Sequence, residues 1–341
     1  MSNKKCCKRT SIGGQAVIEG IMMRGPHKTV LSVRNINSKE ITVEDVEFPN
    51  KSPKFFKIPV IRGVYNFIIT LMVGYKTLMR SADLSGMTEL EEEEEKKKKE
   101  EKRKKKNKPE KEKESDEPNK LGKIALSIVM GVSVVIGVAL AVLLFMWLPS
   151  FLFGLMKDGA TSWLGWDLTN FRALCEGIMK IAIFLLYLWI VSQMNDIKRV
   201  FKYHGAEHKT IFCYEHGLDL TVENIRKQSR FHPRCGTSFM FLMILVGILI
   251  STVIVLVFPH VANYNYIWVP FKILLVPLFC GIGYELIKIC GKHDNLATKI
   301  IAAPGLWVQR LTTKEPDNDM IEVAIESMLP VIPENSQDDE L

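Results

Sequence analysis

The first sixty residues hold no apolar core of the kind that drives a secretory signal. The seven cysteines are scattered and odd in number, so no secreted disulfide framework is expected and the thiols should be reduced. The glycine-rich start lacks a G-x-G-x-x-G fingerprint, which removes the basis for a nucleotide reading. The paired Glu-x-x-His repeats of a di-iron helical bundle are missing. Histidine is scarce, with seven in 341 residues, so any clustering of it is informative.

What is present is an uneven distribution of charge. The chain is 47% hydrophobic and 24% charged, and long uncharged runs alternate with dense charged ones. That alternation is the pattern of a multi-pass helical membrane protein. Ile124 to Leu148 is 25 residues without a charge, enough to cross about 30 Å of hydrocarbon. Cys235 to Pro259 is a second such run of 25 residues. Arg172 to Met194 is a further span, carrying Arg172, Glu176 and Lys180 at four-residue steps on one helix face. Ionisable groups at membrane depth are functional suspects, although an i,i+4 ion pair with a snorkelling lysine explains them too. Ile267 to Cys290, with Lys272, Glu285 and Lys288, is the fourth span.

Orientation follows from the loops. Residues 195–237 hold eight lysines and arginines; residues 149–171 hold only Lys157 and residues 260–266 none. The positive-inside rule then puts both termini and the 195–237 loop in the cytoplasm, with the chain in the cell membrane. The net charge of +7 sits largely in loops that flank apolar runs, so it does not argue for nucleic acid.

The expected fold is mainly α, with about four transmembrane helices, a small N-terminal β unit and a cytoplasmic metal-site loop. Residues 1–60 form the β-rich unit. Within it, residues 13–26 read as one strand with glycine punctuation, and residues 29–35 and 40–46 as a hairpin. Gln15, Glu19 and Arg24 in the first strand face either a site or solvent. Cys6 and Cys7 lie in a basic start that suits lipidation, metal or fraying. Residues 61–85 are an interfacial or buried helix, because the uninterrupted apolar part is too short for a span. Residues 86–120, mostly Glu and Lys, are a disordered linker. Residues 121–294 are the four-helix membrane domain with its motif loop. Residues 295–341 are a helical tail, with one helix over 295–310 broken at Pro304-Gly305 and another over 317–329.

The chemistry gathers in the motif loop. Tyr203-His204-Gly205-Ala206-Glu207-His208-Lys209 contains His-x-x-Glu-His, the inverted zinc-hydrolase signature. On a helix, His204 and His208 share a face and can hold a divalent metal, zinc by ligand type, while Glu207 takes a proton from water. His232 and Cys235 follow as a His-x-x-Cys pair, a spacing that metal ligands often use. The plain alternative is a surface histidine pair and a capping turn. A closed site of His204, His208, His232 and Cys235 would be structural; a shell of three leaves room for chemistry by Glu207. Asp196 is a candidate outer partner for an imidazole, Cys213 a weaker ligand, and Glu285 a residue able to reach the same place.

Four stretches carry a resemblance. Residues 13–24 (Gly-Gly-Gln-Ala-Val-Ile-Glu-Gly-Ile-Met-Met-Arg), 203–209, 232–239 (His-Pro-Arg-Cys-Gly-Thr-Ser-Phe) and 304–313 (Pro-Gly-Leu-Trp-Val-Gln-Arg-Leu-Thr-Thr) resemble the bacterial YqhQ-like membrane proteins. The resemblance covers nearly the whole chain except 89–120. It implies a domain of unknown function described as a predicted metal-dependent enzyme, and it transfers no substrate or catalytic residue.

Three functions fit these observations. One is a metal-dependent hydrolase at the cytoplasmic membrane surface, with a membrane-protein or peptide substrate and lipid as its surroundings. Another is a non-enzymatic scaffold or assembly factor with a structural zinc. A transporter is the third, and it suffers from the lack of an internal repeat or broken helix pair. Nothing in the sequence sets the oligomeric state.

Overall fold

The computed structural model describes residues 9–48, 56, 58–88, 120–165, 168–262, 264–293, 295–335 and 338–339. Most of the expected 86–120 linker, and Cys6 and Cys7, fall outside the described residues. The fold is a mainly α membrane protein with a small antiparallel sheet. Among the described residues, four helical stretches are long and apolar enough to cross a membrane: Gly131–Ala160, Thr169–Val191, Gly236–Val257 and Asn265–Lys292. Three of these lie within a few residues of the runs read from hydropathy.

The first stretch runs further than expected. Helix α2 (Lys120–Val142) passes through a π-helical turn (Leu143–Trp147) into α3 (Leu148–Leu164), so residues 149–164 are helix and not loop. Pro149 is the reason for the turn. Its missing N–H would break an ordinary helical ladder, and the wider turn, in which Leu148 N–H reaches back to Leu143 O, takes up the defect.

The chain divides into two compact units. The first comprises residues 1–89, 185–247 and 275–341. Its sheet has the order β1-β2-β3-β4, with strands β1 (Gly13–Val17), β2 (Gly20–Arg24), β3 (Thr29–Arg34) and β4 (Ile41–Asp45). The 29–46 hairpin is as expected. Residues 13–26 are not one strand but a second hairpin, with Val17 paired to Gly20 across Ile18-Glu19. Neither turn residue is a usual turn former, so no local signal marked it. Glu19 takes a left-handed φ of 50° there. Its carboxylate is held by Arg199 at 2.5 Å and by the Tyr203 hydroxyl at 3.2 Å, and these bonds offset the local cost.

The sheet is covered on both faces, which explains why β2 and β3 read as nearly continuous apolar runs. One face, with Ile21, Met23 and Val30, packs on α5 (Asn195–Glu215) and α10 (Asn318–Met328) through Tyr203, Ala206, Met320, Ile321 and Ala324. The other, with Val17, Met22, Leu31 and Val33, packs on α1 (Ile61–Leu84) through Val73. Each such fully buried aliphatic chain contributes roughly 1.5–3 kcal/mol.

Two further helices belong to the first unit: the short α6 (Val222–Arg226), and α9 (Leu296–Thr312), which starts in a capping box of Asn295 and Thr298. The expected break at Pro304-Gly305 does not occur, and α9 runs through it. A proline removes one ladder bond, and tertiary ties offset the loss: Gly305 lies against Ser238, and Gln309 donates to the Ser238 hydroxyl at 2.9 Å.

The second unit comprises residues 90–184 and 248–274. Inside it, Arg172 meets Glu176 at 2.8 Å, as the i,i+4 spacing predicts. Glu176 also accepts from Lys272 at 2.7 Å and from the Trp268 indole at 3.0 Å, and Lys272 donates to Ser150 at 2.8 Å. All three charged groups are buried. The cluster satisfies its own hydrogen bonds and ties α3, α4 (Arg172–Val191) and α8 (Asn265–Lys292) together.

Candidate functional site

The site is built on α5, which carries His204, Glu207 and His208 on one face. Facing it is Cys235, which stands at the N-cap of α7 (Gly236–Val257); its carbonyl accepts the first helical bond from Phe239 N–H. His204, His208 and Cys235 each offer a ligand atom, and these atoms lie within 4.8 Å of one another. His204 Nε2 is 3.1 Å from Cys235 Sγ.

The outer contacts of the two imidazoles are alike. His204 Nδ1 donates to the Thr312 carbonyl at 2.8 Å, and His208 Nδ1 donates to the Arg230 carbonyl at 2.5 Å. A carbonyl only accepts, so each bond requires a proton on Nδ1 and leaves Nε2 as the ring atom for any further partner, the orientation of histidines that hold metals. The outer partners are therefore backbone carbonyls and not Asp196. That residue begins α5 and lines a separate cleft of about 430 Å³ with Glu19, Arg34 and Arg199.

The electrostatics favour a thiolate. Burial pushes the Cys235 thiol up, but the positive edges of His204 and His208 outweigh it and hold its pKa well below the usual thiol range. The Thr237 N–H at 3.5 Å and the α7 N-terminus add to this. Burial alone would lower His204, yet the Cys235 charge raises it to about 9.

Glu207 is buried, and burial raises its pKa; the two imidazoles and the Gly14 N–H partly oppose this. Its Oε2 has no hydrogen-bond partner among the described residues. Gly14 of β1 lies directly beside it, since a Cβ there would stand 3.1 Å from the carboxylate. Sequence reading missed Gly14, because nothing in a glycine marks what it lies against.

His232 stands next to the trio but turns its Nε2 elsewhere. That atom is 3.4 Å from Arg234 and 3.8 Å from Glu215, and its ring centroid is 5.5 Å from that of His208. Its backbone is clamped at both ends by the Gln309 side chain, at 2.8 Å and 2.7 Å. Cys213 donates to the Leu218 and Asp219 carbonyls, and Glu285 pairs with Arg62; neither joins the site. Gln15 lies against Gly74, and Arg24 stacks over Phe48 at 3.6 Å. Glu315, not singled out from sequence, ties Lys209 and Arg230 together at 2.8 and 2.9 Å.

A donor set of two imidazoles and a thiolate suits zinc, and three ligands leave a fourth tetrahedral position. The buried Oε2 of Glu207 without a partner fits such a site, since a group bound there would supply one.

Comparison with known proteins places the chain. A family described as protein of unknown function (DUF1385) matches residues 58–334. A Bacillus subtilis (strain 168) protein, "Uncharacterized protein YqhQ", is 33% identical over 320 residues, covering 92% of this chain and 90% of that one. No solved structure matches. With most of its length matched by the family and a full-length relative at that identity, the chain belongs to the DUF1385 family of proteins of unknown function.

Proposed function

We propose that this is a membrane-embedded, metal-dependent hydrolase whose site faces the cytoplasmic membrane surface. Its ligands are His204, His208 and Cys235, and Glu207 is its general base. The observation that carries the reading is the paired outer shell: both imidazoles spend Nδ1 on a carbonyl, and a ligand atom of each lies within 4.8 Å of the other and of Cys235 Sγ. A divalent ion held there, zinc by ligand type, supplies Lewis acidity. Glu207, raised in pKa and with one oxygen unbonded, accepts a proton from the attacking water and returns it to the leaving group. The basic 195–237 loop supports a cytoplasmic site, with both termini on that side of the cell membrane.

A scaffold with a structural zinc is the second reading, favoured by the burial of Glu207, His208 and Cys235. His232 is the group that would close such a shell. Metal analysis of purified protein separates the two readings. His204→Ala, His208→Ala and Cys235→Ala should each lose bound zinc, while His232→Ala and Glu207→Gln keep it. Glu207→Gln should also stay abundant in the membrane and fail to complement a deletion strain. Full complementation by Glu207→Gln at normal abundance removes the hydrolase; zinc loss in His232→Ala makes the site a closed one.

A further inference from the structure

Two helices of the first unit carry apolar strips that no span explains. On α9, Leu296, Ile300 and Trp307 are exposed, Leu296 at 75% and Trp307 at 69%. At 3.6 residues per turn these three fall within about 40° of arc. The opposite side of the helix, with Gly305, Val308, Gln309 and Thr312, is buried. Lys299 and Arg310, both exposed, flank the strip. Helix α1 repeats the arrangement. Ile68, Leu71, Met72, Tyr75 and Met79 are exposed and share about 100° of arc. Val73, Gly74, Thr77 and Ser81 are buried behind them, and exposed Lys76 borders the strip. Large apolar groups exposed at helical spacing, with a packed face behind them, mark an interaction surface and not scattered surface residues.

Both helices are tied to the spans near one end. Gly305 of α9 lies against Ser238, at the start of α7. From α1, the Phe67 ring meets Phe239 at 5.6 Å, Asn66 donates to the Tyr284 hydroxyl at 2.9 Å, and Arg62 pairs with Glu285. Phe239 is in the first turn of α7, and Tyr284 and Glu285 lie toward the end of α8. Neither helix can cross a bilayer. The longest uncharged run of α1, Gly63 to Tyr75, reaches only about 20 Å, and that of α9, Ile300 to Gln309, about 15 Å, against about 30 Å of hydrocarbon. We propose that α1 and α9 are in-plane membrane helices whose strips sink into the acyl region of the leaflet where α7 begins and α8 ends. The strips continue the apolar surface of the spans to which the helices are tied. Trp307 and Tyr75 suit the boundary between acyl chains and headgroups, and Lys76, Lys299 and Arg310 can reach lipid phosphates from the borders. Residues 89–117, mostly Glu and Lys, do not match an apolar strip. The buried sides of the same two helices hold the supports of the histidine cluster. Gln309 bonds the His232 backbone, the Thr312 carbonyl bonds His204, and Gly74 lies against Gln15 of β1. Lipid contact thereby supports the cluster from two sides, whether or not it holds a metal.

The test uses the full chain in nanodiscs of phosphatidylethanolamine and phosphatidylglycerol. The photoreactive residue p-benzoylphenylalanine is placed, one position at a time, at Ile300, Trp307, Leu71 and Tyr75. After irradiation, intact-protein mass spectrometry should show a phospholipid adduct at each. Yields should match the same residue at Leu249, an exposed position of α7, and exceed exposed Glu223 of α6 by at least about fivefold. A second readout needs no bulky group. The emission of the unaltered chain minus that of Trp307→Phe isolates Trp307, and it should fall at least about twofold when the lipids carry bromine on their upper acyl carbons. Adduct yields at the Glu223 level, or an unquenched Trp307, overturn the proposal. Crosslinked protein dimers in place of lipid adducts also overturn it and assign the strips to a second copy of the chain.

Discussion

His232 makes the first unit acid-sensitive. Burial pushes its pKa down to about 4, Arg234 works in the same direction, and Glu215 only partly restores it. An unfolded histidine titrates near 6.5. Between those two values the unfolded chain binds a proton that the folded chain refuses. The contribution is therefore fully present above about pH 6.5 and is lost as pH falls toward 4, with an upper bound on the order of 3 kcal/mol. Thermal melting of metal-stripped protein in detergent at about pH 7.5 and about pH 5 should show a drop several degrees larger in the unaltered chain than in His232→Asn. Equal drops would mean that His232 is protonated in the folded chain. At this scale the sequence was partly legible. His204, Glu207, His208, His232 and Cys235 stood out because few residue types do their chemistry and those here were clustered, and of the four expected ligands the structure brings His204, His208 and Cys235 together. The Thr312 and Arg230 carbonyls that orient the rings were not legible, because every residue carries a carbonyl and only the fold selects which ones are used.

Among the elements, α5 depends on a glycine within its own motif. A Cβ on Gly205 would run into the Lys314 carbonyl, on a segment whose Lys314 N–H bonds back to Phe201 O at 2.9 Å. Helix propensity alone would make Gly205→Ala stabilising by about 1 kcal/mol. The collision should reverse that sign, costing about 1–3 kcal/mol net. It should also push the neighbouring Thr312 carbonyl off His204 and lower zinc retention. Circular dichroism melts and metal content of Gly205→Ala check both effects, and a raised melting temperature would count against the contact. The hydrophobic spans were readable because bilayer length demands runs of a fixed size. The Ile18-Glu19 hairpin and the unbroken α9 were not, because each rests on tertiary partners: Arg199 and Tyr203 for the turn, Ser238 for the helix.

For the molecule as a whole, the asymmetry of lysine and arginine sets the expected topology. Reporter fusions after residues 110, 220 and 320 should report the cytoplasm, and fusions near 160 and 264 the outside. An external signal at 220 would overturn both the orientation and the location proposed for the site. The contacts of Thr312 and Gln309 carry a further consequence, which concerns synthesis. Both histidine-bearing helix and thiol are made well before α9, yet the His204 ring is fixed by Thr312 and the His232 backbone by Gln309. A nascent chain that already carries His204, His208 and Cys235 has the Arg230 carbonyl that orients His208 but still lacks the Thr312 carbonyl that orients His204. The orientation of His204 is therefore completed only once the chain beyond Thr312 has been made, so a chain truncated before it should hold that ring less firmly than the finished one.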